Sequence, residues 1–205
     1  MALVKYNNNS ISAVTAAASI PSGSMVLIST NTVSSGVSSV SITSGIDSTY
    51  STYMVKYINL HSASNNVQPQ INFSIDGGSN YNVTKTTTSF YANYTEAGGG
   101  AGIGYSSGED LAQSTAYQNI GENFKNDNDS GGCFTMFLFS PSNTTFVKHF
   151  MTETSVANQA DLMVNVRTAG YCNTTAAITG VDFKSTSGNI DSGVIKMYGL
   201  SKSWA

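Results

Sequence analysis

Charged residues are scarce in this chain of 205 residues, at 10%, whereas an ordinary soluble domain carries about 25%. Nine Lys and Arg residues stand against twelve Asp and Glu residues, so the formal net charge is −3. Because nucleic-acid binding rests on a basic surface, that class of function is not expected. The chain has no apolar run long enough for a membrane-spanning helix. It also has too few Glu, Lys, Leu and Arg residues at heptad spacing for a coiled coil.

Hydrophobic residues make up 40% of the chain and aromatic residues 10%, which is too many for a disordered protein. Ser, Thr and Asn supply about a third of the residues. The length suits one domain, which buries about 70% of the surface that its unfolded chain exposes. Such a domain needs no disulfide for stability, so we interpret Cys133 and Cys172 as two buried, reduced thiols. A single bridge between them is the alternative.

The first 23 residues differ from the rest, because they are polar, rich in Asn near the start and without clear alternation. Lys5 precedes only Asn, Ser and small residues, with no apolar core of the kind that a signal peptide has. We therefore expect synthesis in the cytoplasm. We interpret residues 1–23 as an extended arm that docks on a partner, and a floppy terminus is the alternative. Residues 24–205 then form a single domain.

From Ser24 onward, short runs of alternating apolar and polar residues are separated by Gly, Asn, Asp and Ser. This pattern is typical of half-buried strands. About ten such runs occur, near residues 25–28, 40–42, 53–60, 71–75, 90–94, 133–139, 146–151, 162–166, 181–183 and 194–198. Helical segments between them are missing, which disfavours a parallel sheet. The predicted fold class is all-β: an antiparallel, jelly-roll-like β-sandwich with an extended N-terminal arm.

Two segments lack the strand pattern. Residues 108–125 are the one candidate helix, although they fit neither the helical nor the strand period well. The glycine-rich residues 98–104 are predicted to form a flexible loop, and they lack the GxGxxG pattern of a nucleotide site. Because mobile glycine-rich loops often carry binding, residues 98–108 are the best candidate for a contact with a distal partner.

Side chains suited to catalysis are few. The two histidines, His61 and His149, belong to no catalytic motif. Glu109 and Asp110 adjoin each other, but neighbouring residues in a strand or loop point apart. We therefore predict no enzyme activity, no catalytic residues, no cofactor and no metal site. A glycosidase pair of carboxylates drawn from distant strands is the enzymatic alternative.

Two stretches rich in Asp and Gly resemble functional loops. Residues 127–132 lack the Glu that a calcium loop has at its twelfth position. We interpret them as a tight turn, and calcium bound at Asp127 and Asp129 is the alternative. Residues 74–81 resemble the Asp-box of sialidases, in which the Asp braces a hairpin turn. A sialidase needs several copies and several arginines, whereas this chain has one copy and one arginine, Arg167. We therefore predict a hairpin turn here.

Four stretches, taken in their order along the chain, resemble a family of virion structural proteins of tailed phages, especially those of marine bacteria and cyanobacteria. They are residues 44–61 (SGIDSTY leading into YMVKYINLH), 73–81 (FSIDGGSNY), 142–150 (SNTTFVKHF) and 188–200 (GNIDSGVIKMYGL). Members of this family are fibre-like or decoration-like β-sandwich proteins. The resemblance implies a protein at the virion surface that assembles as a homotrimer, and it brings no catalytic motif.

These observations together predict a non-enzymatic phage virion structural protein, either a head decoration protein or a short tail fibre for host attachment. Residues 1–23 are expected to dock on other capsid or tail proteins, and a host surface glycan is a further candidate partner. Neither nucleic-acid binding nor membrane insertion is expected. The strand-borne tyrosines fill the core, pack a subunit interface or hold a sugar ring; they include Tyr50, Tyr53, Tyr91 and Tyr94.

The alternative functions are a carbohydrate-binding module and a capsular polysaccharide depolymerase. In the first, exposed tyrosines and Trp204 serve as platforms for sugar rings, although Trp204 lies one residue from the C-terminus. Such a module binds glycans as a free monomer, whereas a virion protein assembles. A depolymerase requires two carboxylates that meet in a cleft.

Overall fold

The computed structural model describes residues 25–200, where the regular structure consists of twelve β-strands and one short 3-10 helix. Every strand pairing is antiparallel. The strands are β1 (Met25–Val33), β2 (Ser39–Ile42), β3 (Thr52–Ser62), β4 (Pro69–Ser74), β5 (Lys85–Thr95), β6 (Ala101–Tyr105), β7 (Gln118–Asn119), β8 (Gly132–Phe139), β9 (Lys148–Ala157), β10 (Leu162–Cys172), β11 (Gly180–Ser185) and β12 (Ile190–Leu200). The predicted all-β antiparallel sandwich is confirmed. The predicted arm, residues 1–23, lies outside the described residues.

Two sheets divide the strands between them. The large sheet has the order β1-β12-β3-β8-β9-β10-β5-β6, and the small sheet has the order β2-β11-β4-β7. When β5, β6, β9 and β10 are set aside and the other eight strands are renumbered along the chain, the two orders become 1-8-3-6 and 2-7-4-5. This is the connectivity of an eight-stranded jelly roll.

The four remaining strands enlarge one sheet of the jelly roll. β5 and β6 follow β4 along the chain, and β9 and β10 follow β8. They pair in the order β9-β10-β5-β6 and continue the large sheet beyond β8. The large sheet is therefore twice as wide as the small one, which cannot cover its whole inner face.

Aromatic side chains fill the space between the sheets. Phe73 of the small sheet packs on Phe150 of the large sheet, with ring centroids 5.0 Å apart. Phe183 of the small sheet lies between Tyr57 and Phe134, at 6.2 Å and 5.7 Å. Burying rings of this size is the main stabilising contribution of such a core, since removal of one buried Phe typically costs about 3–5 kcal/mol.

The chain from 108 to 125 is not helical, so the candidate helix is wrong. Only Ser107–Glu109 forms a turn of 3-10 helix, and Gln118–Asn119 is the short strand β7 on the edge of the small sheet. Ile120 and Phe124 of this segment are buried in the core. Thr154 on β9 donates a hydrogen bond from Oγ1 to the Ile120 carbonyl, which fixes the segment against β9. The segment follows no period because its apolar residues fill separate gaps. No helix within residues 25–200 has the length and apolarity to cross a bilayer.

The glycine-rich run is partly a strand, so the predicted flexible loop is wrong for its second half. β6 begins at Ala101 and pairs with β5 along its whole length. A Cβ at Gly104 would lie 2.7 Å from the Tyr91 ring, and one at Gly102 would lie 2.7 Å from Asn93 Oδ1. Glycine is required on that face because the side chains of β5 lean over the backbone of β6.

The two cysteines are both free thiols, but only one is buried. Cys172 is fully buried on the inner face of β10, whereas Cys133 is exposed on β8. β9 separates the two strands, so no bridge joins them. The prediction of two reduced thiols is confirmed, and the prediction that both are buried is wrong for Cys133. The error arose because β8 is apolar at most positions, so the sequence did not show which face is outward. Cys133 belongs to the set of alternate residues that faces outward.

Candidate functional site

The outer face of the small sheet is covered by the chain itself. Asn72 on β4 and Asp182 on β11 are cross-strand partners on this face, and both are buried. Residues 106–124, which we call the crossing segment, pass over them. Tyr117 of this segment donates its hydroxyl to Asp182 Oδ2 at 3.0 Å. The Lys184 ammonium lies 3.9 Å from the centroid of the same ring, which is a cation–π contact.

We call the outer face of the large sheet the open face, because exposed residues lie along it on β1, β3, β9 and β10. Cross-strand register places six side chains in one line over six strands, from β1 to β10. We call this line the apolar row: Leu27, Tyr198, Met54, Phe137, Met151 and Ala169. Leu27 is 52% exposed and Met151 is 53% exposed, whereas Met54 between them is buried. Exposed apolar side chains that lie close together are typical of interaction sites.

A row of charges runs beside the apolar row. Lys196 on β12 lies directly opposite Lys56 on β3, and like charges in that position repel each other. Two strands beyond Lys56, Glu153 on β9 accepts a hydrogen bond at 2.6 Å from Arg167 on β10. The half of the open face near β3 is therefore positive, and the half near β9 carries a neutral pair. A carboxylate from another molecule would relieve the repulsion between the two lysines.

The open face is large enough for a stable protein interface. Eight strands spaced by about 4.8 Å span about 38 Å, and strands of eleven residues are about 36 Å long. A standard interface covers about 800 Å² on each partner, which is less than this area. A depression of about 180 Å³ lies between Phe137, Phe90 and Arg167. A side chain of a partner can fill this depression.

The hairpin of β5 and β6 carries a second exposed patch at the edge of the open face. We call Phe90, Tyr94, Ile103 and Tyr105 the hairpin patch; Ile103 is 86% exposed. Tyr105 is held in place because its hydroxyl donates to Asp110. The predicted distal contact at residues 98–108 is therefore half loop and half edge strand, and its apolar side chains stand on the strand.

A polar groove of about 910 Å³ lies at one end of the sandwich. Its lining includes Asn59, His61, Asp129, Cys133, Met163 and Asp191. His61 Nδ1 lies 2.6 Å from Asp191 Oδ1, and Nε2 lies 3.0 Å from the Asp127 carbonyl. Burial disfavours the charged ring, but these hydrogen bonds outweigh it and raise the pKa of His61. The imidazole therefore joins β3 to β12 and to the turn at Asp127.

The groove does not have the geometry of a nucleophilic site. A general base needs a ring nitrogen that is free to accept a proton, and both nitrogens of His61 are engaged. Cys133 lines the same groove, but its Sγ accepts from the Asn59 backbone N–H at 3.4 Å. None of the residues that line the groove is a Phe, Tyr or Trp, so the groove lacks the large aromatic rings on which sugars stack.

The stretch at Asp127 is a turn, closed by a hydrogen bond from the Ser130 N–H to the Asp127 carbonyl at 2.8 Å. Asp127 and Asp129 are both exposed. Across residues 25–200, no three side chains of His, Cys, Asp or Glu come together as a metal site would require. Glu109 and Asp110 also diverge as expected, because Glu109 accepts from Gln68 while Asp110 accepts from the Ser89 N–H.

The Asp-box-like stretch forms a braced turn, but not the hairpin turn that we predicted. Asp76 Oδ1 accepts from Ser74 Oγ at 2.7 Å and from the Asn80 N–H at 2.9 Å, and Oδ2 accepts from Asn80 Nδ2 at 2.7 Å. The hydrogen bonds from Asn80 and Ser74 lower the pKa of Asp76 to about 2. The turn leaves β4 of the small sheet and leads to β5 of the large sheet. It is therefore a crossover between sheets.

The four predicted tyrosines divide between core and surface. Tyr53 is fully buried, and its hydroxyl bonds to Asp47. Tyr50 and Tyr91 are partly buried against the core. Tyr94 alone is exposed, as part of the hairpin patch. His149 is also exposed, on the open face beside Tyr171, and Trp204 lies outside the described residues.

Comparison with known proteins adds no relative. No family model matches the chain, and neither a curated protein nor a solved structure matches it.

The apolar row was missed by sequence reasoning, because the order of strands in a sheet cannot be read from periodicity. Two fully buried lysines, Lys85 and Lys148, were missed as well. The burial of Lys148 could have been predicted from the sequence, since Lys148 lies between Phe146 and Phe150 at alternate positions of one strand.

Proposed function

We propose that this protein is a non-enzymatic structural subunit of a phage particle, and that it assembles with copies of itself through the open face. The observation that carries this proposal is the apolar row, which spans six strands of the open face and exposes Leu27 and Met151. Burial of such a surface favours association. Two parts of the proposal, the location on a phage particle and the trimeric state, rest on the resemblance of the sequence to phage virion proteins.

A second copy of the chain suits the open face better than an unrelated partner. Lys56 and Lys196 lie on one half of the face, and Glu153 lies on the other. Glu153 uses only Oε1 in its hydrogen bonds within the described part of the chain. In a ring of three copies, the lysine half of one open face approaches the Glu153 half of the next, and this head-to-tail contact closes as a trimer.

Residues 1–23 are proposed to dock the subunit on capsid or tail proteins, and the hairpin patch is proposed to face outward. A chain without residues 1–23 is expected to keep its oligomeric state and to be lost from particles. Normal incorporation of the shortened chain would overturn the docking role of these residues.

The experiment that tests the proposed function is immunogold labelling of purified virions with an antibody against the full chain. Label on the heads indicates a decoration protein, and label on the tails indicates a short fibre or adhesin. Absence of label from intact and from disrupted particles would overturn the proposal.

The competing proposal is a carbohydrate-binding module, which the exposed Tyr94 and Tyr105 favour. Exposed aromatic rings can stack on sugars. A glycan array probed with the full chain separates the two: binding by a monomer that the Tyr94→Ala change abolishes supports the module. Binding that requires the oligomer fits a receptor-binding virion protein.

A further inference from the structure

Lys85 is a buried amine without a carboxylate partner in the described part of the chain. It is the first residue of β5, and none of its surface is exposed. Its Nζ donates to Asn72 Oδ1 at 2.7 Å and to the Val83 carbonyl at 3.1 Å. Cys172 is its cross-strand neighbour, and burial raises the pKa of that thiol to about 12. The thiol is therefore neutral and gives no compensating negative charge.

The surroundings of Lys85 suit a neutral amine. An ammonium has three N–H donors, but within residues 25–200 only two acceptors lie at hydrogen-bond distance from Nζ. A neutral amine has two N–H groups and one lone pair, which matches two acceptors. Burial lowers the pKa of Lys85 to about 8, so the nucleophilic form is populated near neutral pH.

The Asn72 side chain is held as an activated acyl group. Its Oδ1 accepts from Lys85 Nζ and also from the Phe73 backbone N–H at 2.9 Å. Its Nδ2 donates to the Tyr81 carbonyl at 2.6 Å and to the Thr115 carbonyl at 3.0 Å. The Phe73 N–H is placed to stabilise negative charge on Oδ1. The two carbonyls are placed to stabilise a protonated nitrogen as it leaves.

We propose that Lys85 and Asn72 join in an intramolecular isopeptide bond, which ties the large sheet to the small sheet. The lone pair of the neutral Nζ attacks Asn72 Cγ and forms the new C–N bond. The Cγ–Nδ2 bond then breaks, one proton passes from Nζ to Nδ2, and ammonia leaves. No oxidant, reductant or cofactor is consumed. The hydrogen bond of 2.7 Å from Nζ to Oδ1 holds the amine beside the amide group that it attacks, and such proximity accelerates reaction.

Lys148 is a matched internal control. It is equally buried, on β9 at the other side of Cys172. Its Nζ donates to the Phe146 carbonyl at 3.0 Å and to the Thr174 carbonyl at 3.3 Å. Both acceptors are backbone amides, whose leaving group would be the chain itself, so no bond of this kind is expected at Lys148.

The test is mass spectrometry of the full chain after denaturation and digestion with trypsin. Trypsin requires a free lysine, so a crosslinked Lys85 blocks cleavage between residues 85 and 86. We expect one peptide that spans residues 57–125 and is lighter than its sequence by one ammonia. Cleavage after Lys148 proceeds normally. Fragmentation is expected to yield no backbone fragments between residues 72 and 85.

Two results would overturn the proposal. One is a peptide 57–85 of unchanged mass, which would mean that the contact is an ordinary hydrogen bond. The other is loss of ammonia together with normal cleavage after Lys85, which would indicate a succinimide at Asn72. In the Asn72→Ala and Lys85→Arg variants, cleavage after residue 85 and full mass are expected, while Lys148→Arg keeps the crosslink. Because the wild-type digest is decisive by itself, poor folding of a variant does not remove the test.

Discussion

The outer faces of the two sheets differ in polarity and in how far the chain covers them. The small sheet carries polar and charged side chains outward; its own crossing segment buries Asn72 and Asp182 and partly covers Lys184. The large sheet carries an apolar row outward, and its members Leu27 and Met151 are exposed. The crossing segment thus closes the polar face, whereas the apolar row is the surface that we propose for assembly.

This difference separates fold stability from assembly. Polar groups under the crossing segment must be satisfied within one chain, because water does not reach them. Side chains of the apolar row gain only from association. Changes on the covered face should therefore alter folding, and changes on the open face should alter assembly.

The largest expected effect on stability comes from the buried carboxylate of the covered face. The Asp182→Ala change leaves the hydroxyls of Tyr117 and Ser41 without their acceptor. We expect a loss of about 1–3 kcal/mol in the free energy of unfolding, because the half-buried Tyr117 hydroxyl loses its acceptor, whereas the exposed Ser41 hydroxyl bonds to water instead. Urea denaturation at a concentration where the chain is monomeric measures it.

The matched change on the open face is Glu153→Ala, which also removes a carboxylate with a partner. The pair of Glu153 and Arg167 is about half exposed on both sides, so we expect a loss below about 1 kcal/mol. An equal cost for the two substitutions would contradict the contrast between the faces.

The two faces of the large sheet itself differ in thiol reactivity. Cys133 is exposed on the outer face and should react quickly with a disulfide reagent. Cys172 is buried and its pKa is raised to about 12, so its modification should follow the rate of unfolding. One fast and one slow thiol in the monomer is the expected result. Two fast thiols would mean that the inner face of β10 is accessible.

The smallest expected effect concerns His61 and Asp191 at the end groove. Since folding raises the pKa of His61, the stability contributed by this pair is complete below the unfolded pKa of about 6.5. It is lost as pH rises through the folded pKa. We expect a decline of about 0.5 kcal/mol, seen in urea titrations between about pH 5.5 and 8.5. The Asp191→Asn variant should show a flatter profile, and an identical slope would exclude the pair as its cause.

Periodicity predicted the fold well wherever a strand has one buried face. In β10, Val164 and Val166 are buried while Asn165 and Arg167 face outward, and the sequence shows the same alternation of apolar and polar residues. β6 was missed because two glycines form its inner face, so the pattern has no apolar residues to reveal it. β7 was missed because two residues are too few to show a period.

The candidate site was less predictable for a different reason. Leu27, Met54 and Met151 are far apart in the sequence, and only the strand order β1-β12-β3-β8-β9 brings them into one row. The same holds for Lys85, whose contact with Asn72 depends on the crossover between the sheets. Local patterns specify which residues face outward, but the neighbours across strands are a property of the topology.

The central claim is that the open face is a self-association surface, and sedimentation equilibrium of the full chain tests it most directly. The Met151→Glu change puts a charge at an exposed position of the apolar row, and Ser187→Glu adds the same charge at an exposed position outside it. We predict that the wild type and Ser187→Glu sediment with the mass of three chains, and that Met151→Glu sediments as a folded monomer. A wild type that is monomeric at its highest soluble concentration, or a Met151→Glu variant that still associates, would contradict the claim.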